Sequence, residues 1–223
     1  MRRELGHRMV GPPCDVVLGP EHDLTDKMAF QFRKKRGKSR DVWLTHYSPP
    51  CTTFTYAQRH FQQRSMTEPE GIALKRPFRS GTDEQTTLAE RALRLCALHH
   101  DVGDAFSLEH PYPSPLIELQ AAKDLLGCRG VFFITWDNCM YGETYRHRQM
   151  LITNFPPFAR LSRDCDMATR PHEHTPIGFS RPLATSDVAT FADGFCKEYA
   201  RLVKRFVKAR TMDNDLCYLC LQG

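Results

Sequence analysis

Apolar and polar positions along this chain switch between a period of two and a period near four, and the switches mark out alternating strands and helices. Residues 41–47 (DVWLTHY) are a β-branched and aromatic run that stops at Ser48-Pro49-Pro50, because prolines cannot continue a ladder. From Thr82, the positions Leu88, Ala92, Leu95 and His99 recur at helical spacing; Thr82 with Gln85 reads as a capping box, and Gly103 as the end of that helix. A strand over 105–109 (AFSLE) follows, broken by Pro111, Pro113 and Pro115, and then a short helix from Leu116 to Gly127. Residues 131–136 (VFFITW) predict a buried strand, and 150–154 (MLITN) a shorter one that closes a hairpin-like excursion through the loop 137–149. Weak periodicity and many Pro, Arg and His residues make 155–182 a loop or a small irregular subdomain. Ser186 caps the last helix, whose apolar face is Val188, Phe191, Phe195, Tyr199, Leu202 and Phe206.

Strands alternating with helices predict an α/β fold with a largely parallel sheet and helices on both faces. The 223 residues suit one domain, 1–223, and no internal repeat divides them. Hydrophobic residues at 41% and charged residues at 26% match a soluble globular chain. No apolar run is long enough for a membrane helix, and the first residues, MRRELGHRMVG, lack the core of a secretory signal. The expected setting is therefore intracellular: the nucleus in a eukaryote, the cytoplasm otherwise, with no membrane partner. Nine scattered cysteines, an odd number, argue against a disulfide framework. The net charge of +5 is mild, but Arg33-Lys34-Lys35-Arg36-Gly37-Lys38-Ser39-Arg40 concentrates cations that suit phosphate contacts; a solvated loop or a localisation signal reads equally well.

In α/β sheets ligands collect beyond the carboxyl ends of the strands, and three such places carry unusual chemistry. They are Ser48-Pro49-Pro50-Cys51-Thr52-Thr53-Phe54-Thr55, Glu109-His110-Pro111, and Tyr145-Arg146-His147-Arg148. In identity and order these resemble the motifs of the S-adenosylmethionine-dependent DNA (cytosine-5) methyltransferases: a Pro-Pro-Cys loop followed by Phe-Thr, a Glu-Asn-Pro-like triplet and an Arg-x-Arg pair. His22-Asp23-Leu24-Thr25 is similar to that family's acidic turn near the cofactor's adenine. The resemblance implies a Rossmann-like sheet with Cys51 as nucleophile toward carbon 6 of a flipped cytosine and Glu109, kept protonated by burial, at N3. It also implies that Arg146 and Arg148 hold the base carbonyl and the two neighbouring motifs. Asp23, Leu24, Pro49 and Asp15 would contact S-adenosyl-L-methionine, and DNA would be the partner of a monomer or of a piece of a longer polypeptide. The loop 60–82 would close over the DNA, and 156–182 is the candidate for target recognition.

Two departures qualify that implication. His110 stands where the family usually has asparagine, and its ring cannot copy an amide's paired donor and acceptor. No G-x-G precedes Cys51, so the resemblance implies a fold lacking the first strand and glycine turn. A catalytically impaired homologue that binds nucleic acid is the alternative, and RNA is open to the same cysteine chemistry. A thiol hydrolase pairing Cys51 with His46 is a further enzymatic reading. Taken singly, each element has an ordinary role: Cys51 as a small buried residue, Glu109 as an ion-pair partner, Arg146 and Arg148 as a solvated hairpin face. Cys14, in a second Pro-Pro-Cys without the Phe-Thr, reads as structural. Zinc ligation by Cys217, Cys220, His172 and His174 has ligand-like spacing but no second CxxC, so no metal is expected.

Overall fold

The computed structural model describes residues 15, 18–39, 42–55, 63–72, 79–177 and 190–220, with side chains undescribed at 79–80 and 208–220. Helix α1 (Lys27–Lys38) starts where the Asp26 carboxylate accepts from the Ala29 amide at 2.8 Å. The basic run thus lies largely on a helix; Arg40 falls outside the described residues. Buried Ala29 and Phe30 turn α1 onto the long helix α2 (Arg79–Asp101), where Arg91 stacks over Phe30 and bonds the Leu24 and Asp26 carbonyls.

Four strands form one mixed sheet in the order β1-β2-β4-β3. Strand β1 (Leu44–Tyr47) runs parallel to β2 (Ala105–Pro111), with α2 as the crossover. Strand β4 (Arg148–Thr153) lies antiparallel between β2 and β3 (Phe132–Asp137). The expected largely parallel sheet is thus corrected to one parallel pair beside a hairpin, because the short link 138–147 cannot make a crossover. The expected hairpin is present.

The period of two assigns the faces. Phe106 and Leu108 of β2 and Met150 and Ile152 of β4 form one apolar cluster with Ala92, Leu93 and Cys96 of α2 and with Ala122 and Leu125 of α3 (Gln120–Leu126). Ile134, Trp136 and Leu151 form the other, against Phe195, Tyr199 and Leu202 of α4 (Asp193–Cys220) and the 3-10 turn Pro156–Leu161. Trp136 stacks on Phe195 with ring centroids 4.2 Å apart.

Several expectations shift in detail. Thr82 and Gln85 do not cap α2, which starts a turn earlier; they bond other segments instead. The run 131–136 is an edge strand, and Phe133 is 45% exposed, because hydrophobicity alone does not report strand order. The last helix begins at Asp193, after Phe191, while Ser186 and Val188 lie outside the described residues. Strand β2 extends to Pro111, so Glu109 and His110 sit on the strand rather than beyond it.

Antiparallel reversal has one consequence for the site. The ends of β1, β2 and β3 and the start of β4 share one edge, with Pro111 opposite Gln149 and Asp137 opposite Arg148. All three sequence motifs converge there.

Candidate functional site

The loop after β1 is fixed from beneath. Phe54, 1% exposed, is held edge-on to His110 at 5.5 Å, and the Arg64 guanidinium lies over its ring at 3.7 Å. The Thr53 amide and hydroxyl both donate to Gln85 Oε1, at 3.0 and 2.9 Å. Arg64 is itself buried and donates to Thr53 Oγ1, the Pro69 carbonyl, Thr86 Oγ1 and the Thr82 carbonyl, all within 2.9 Å. Of the 60–82 segment expected to be a loop, residues 63–72 are pinned to α2 by a buried arginine and 79–82 belong to α2 itself. Residues 60–62 and 73–78 lie outside the described residues.

Cys51 opens the turn that Phe54 closes, its carbonyl accepting from the Phe54 amide at 2.9 Å. Glu109 reaches the same loop from β2, where Ser48 Oγ donates to Glu109 Oε2 at 2.7 Å. Burial pushes the Glu109 carboxyl up to about 7, against the lowering effect of the Ser48 hydroxyl. Burial first, and then the Glu109 charge, also raises the Cys51 thiol. The pair is therefore poised to hold one negative charge rather than two.

His110 points to the opposite face from Glu109, as neighbours on a strand must. It is 1% exposed, and the backbones of Pro111 and Pro50 are the hydrogen-bonding groups beside its ring. Burial lowers its pKa to about 4, so it is a neutral ring packed on Phe54.

Arg146 and Arg148 meet at Asp137, whose carboxylate is fully buried: Arg146 Nε lies 3.2 Å and Arg148 Nε 3.5 Å from Asp137 Oδ1. Arg148 also pairs with Asp164, and the Cys165 amide donates to Asp137 Oδ2 at 2.7 Å. Among the described residues no hydrogen bond joins either arginine to Glu109 or Cys51. The structure thus brings the arginines to the right edge but directs their guanidiniums to Asp137.

The expected cofactor residues are partly placed. Asp23 Oδ1 accepts from the Thr25 amide at 2.8 Å and the Thr25 hydroxyl at 2.7 Å, bonds that lower its pKa. No hydrogen bond to Oδ2 is present among the described residues, so Asp23 fits an acceptor for an amine or a ribose hydroxyl. Leu24 gives its carbonyl to Arg91, Pro49 is half-buried beside Ser48, and Asp15 is exposed. The described residues bring no glycine-rich turn to these groups.

His46, the partner for a thiol hydrolase, is turned into the α4 face. Its Nδ1 lies 2.9 Å from Ser107 Oγ, burial lowers its pKa to about 4, and no hydrogen bond joins it to Cys51. Cys14 lies outside the described residues, as do the side chains of Cys217 and Cys220. His172 and His174 instead approach Cys139 and Cys165.

Sequence reasoning missed four side chains that build this edge. Ser48 and Gln85 could be suspected from their places beside the Cys51 loop and at the start of α2. Asp137 had a signal of its own, as the acid that ends an apolar strand. Arg64 had none.

No protein-family model, characterised protein or solved structure matches the chain. No described helix is long and apolar enough to cross a membrane.

Proposed function

We propose that this chain carries the catalytic core of a DNA (cytosine-5) methyltransferase, transferring a methyl group from S-adenosyl-L-methionine to carbon 5 of a flipped cytosine. One observation carries the reading: the Pro-Pro-Cys loop meets a buried glutamate, through Ser48 and Glu109, at the carboxyl edge of a parallel strand pair. Cytosine carbon 5 is a poor nucleophile, so a thiolate must first add to carbon 6 and make the ring an enamine. Cys51 is the group for that bond. The Glu109 carboxyl, raised to about 7, can hold a proton at N3 as negative charge develops on the ring. S-adenosyl-L-methionine, when bound, supplies an electrophilic methyl on sulfonium sulfur. Loss of the carbon 5 proton then expels Cys51 and restores the aromatic ring. Arg146, half-exposed with its Nε held by Asp137, keeps further guanidinium N–H groups for the base carbonyl or the phosphate beside it, while Arg148 is shared between Asp137 and Asp164.

The deciding experiment is covalent trapping on DNA containing 5-fluorocytosine with S-adenosyl-L-methionine present, because fluorine at carbon 5 blocks the final elimination. The reading expects an adduct of protein and DNA that Cys51→Ala abolishes. Folded protein that forms no adduct on varied DNA sinks it.

One observation favours a second reading, a homologue that binds nucleic acid without methylating it. Both arginines expected at the base are engaged by Asp137, and His110 stands in place of the asparagine. Salt-sensitive DNA binding without adduct formation would support it.

A further inference from the structure

The segment 162–177 poses a packing problem. None of its residues is buried, yet it follows a defined path beside β3, with bridge residues at Arg163, opposite Trp136, and at Ile177. A stretch that buries no apolar side chain cannot offset its ordering entropy by hydrophobic contact. Polar contacts tie down its start, where Asp137 bonds the Arg163 carbonyl and the Cys165 amide and Arg148 pairs with Asp164, and the return of the loop needs a tie of its own.

Four ligand-type side chains converge where it returns to the sheet. Cys139 stands on the 3-10 turn Asn138–Tyr141 that follows β3, and Cys165 follows the bridge, with its amide bonded to Asp137. His172 and His174 come back from the far side of the loop, and the Thr175 amide bonds the Thr144 carbonyl at 2.7 Å. The ligand atoms of all four lie within 4.8 Å of one another. Cys165 Sγ is 3.6 Å from His172 Nε2 and 3.7 Å from His174 Nε2. A tetrahedral zinc with its usual bonds to sulfur and nitrogen separates those atoms by about 3.6 Å. Two further details fit. His172 Nδ1 lies 2.8 Å from the Arg170 carbonyl, which fixes the proton on Nδ1 and leaves the Nε2 lone pair facing the cysteine. The two imidazoles stand perpendicular, at 88°, so both can aim a lone pair at one point.

We propose that Cys139, Cys165, His172 and His174 form a structural zinc site that closes the segment 162–177 onto the end of β3, immediately beside the arginines of the candidate active edge. The two thiols bind as thiolates, releasing one proton each, and the two imidazoles bind neutral, so the two negative charges of the ligand shell cancel the double positive charge of the ion. Four protein ligands leave no open position, so the ion is structural and does not activate water. Sulfur and nitrogen donors in a tetrahedron select zinc over oxygen-seeking magnesium or calcium. The proposal is independent of the methyl-transfer reading and stands or falls without it.

The test uses the full chain produced with zinc in the medium and a purification tag free of histidine. Elemental analysis is expected to find about one zinc per folded chain. Cys165→Ser with His174→Ala should lose it, and Cys128→Ser should keep it. A second measurement on the unaltered protein guards against a variant that fails to fold. Zinc should protect Cys139 and Cys165 from alkylation, a chelator should expose both, and Cys51 should react alike in either state. Cobalt added after chelation should give the visible bands of a tetrahedral site with thiolate charge transfer. Zinc-free folded protein, a Cys139–Cys165 disulfide, or full zinc in the double variant would each overturn the proposal.

Discussion

The loop 48–55 and the loop 138–147 meet at one edge of the sheet, yet different forces hold them there. The first rests on Phe54 and on side chains from a neighbouring helix: Gln85 bonds Thr53, and Arg64 spans Thr53, Thr86 and two carbonyls. The second rests on charge, with buried Asp137 gathering Arg146, Arg148 and the Cys165 amide. Packing of the first kind is complete once the domain folds. Charge of the second kind depends on every partner being present, because a buried ion left alone costs far more than a missing methyl group. The Cys51 side is thus built to be rigid, and the arginine side to be conditional.

The largest expected effect breaks the conditional side. Asp137→Ala takes the acceptor from Arg146 and the Cys165 amide and leaves Arg148 with Asp164 alone; because both arginines keep some solvent, it should cost about 3 kcal/mol, the low end of the range for breaking a buried ion pair. Urea unfolding measures it, and a loss below about 1 kcal/mol, the scale of a surface pair, would show that solvent already screens the cluster. Arg64→Met tests the other side. It fills the space with an apolar side chain but removes the guanidinium over Phe54, orphans the Pro69 carbonyl and leaves the Thr82 carbonyl with the Thr86 hydroxyl, and should cost about 3 kcal/mol. Amide exchange sharpens the contrast: Arg64→Met should speed exchange in 51–55 and leave 162–177 unchanged, and Asp137→Ala should do the reverse.

The same contrast explains what the sequence made legible. Periodicity found β1, the body of α2, the hairpin and the apolar face of α4, because a repeated pattern averages over local ambiguity. The three motifs stood out because rare residue types followed strands in order. Arg64 was illegible: in a polar stretch an arginine reads as solvated, and only the carbonyls of a helix packed later give it a buried role. Thr82 and Gln85 matched a cap by spacing, but tertiary partners claimed both side chains. The apolar run at β3 carries no mark of its edge position, which follows from where the hairpin docks. His172 and His174 had ligand-like spacing in the sequence but read there with Cys217 and Cys220; Cys165 stands only seven residues before His172 without a second cysteine next to it, so the fold is needed to bring in Cys139 and collect the four.

A third expectation places the neutral-pH sensitivity on the Cys51 side. The Glu109 carboxyl is near 7 in the fold against an ordinary 4.5, so the folded chain keeps a proton that the unfolded chain releases between those values. Its contribution therefore erodes stability as pH rises from about 4.5 to 7, by roughly 2 to 3 kcal/mol. His46 and His110, lowered to about 4, act oppositely: stability is lost as pH falls from 6.5 toward 4, when the unfolded chain binds protons that the fold excludes. Comparing Glu109→Gln with the native chain cancels the histidines. The variant should gain on the native protein steadily between pH 5 and pH 7.5 in urea unfolding. A difference independent of pH would mean that Glu109 ionises near its ordinary value.

The smallest effect is a rate rather than a stability. Burial raises the Cys51 thiol first and the Glu109 charge raises it further, so above pH 7 the native thiol should alkylate slowly for a half-buried cysteine. Glu109→Gln removes the charge while keeping a partner for Ser48, and should speed carboxamidomethylation of Cys51. Cys128, half-exposed at the C-terminal end of α3, serves as the internal reference thiol. Below pH 6, where Glu109 is protonated in the native chain, the two proteins should react alike. Equal rates at every pH would separate Cys51 from Glu109 electrostatically and remove the geometry on which the methyl-transfer reading depends; a pH-dependent gap would show that the rigid side of the edge also sets the charge state of its nucleophile.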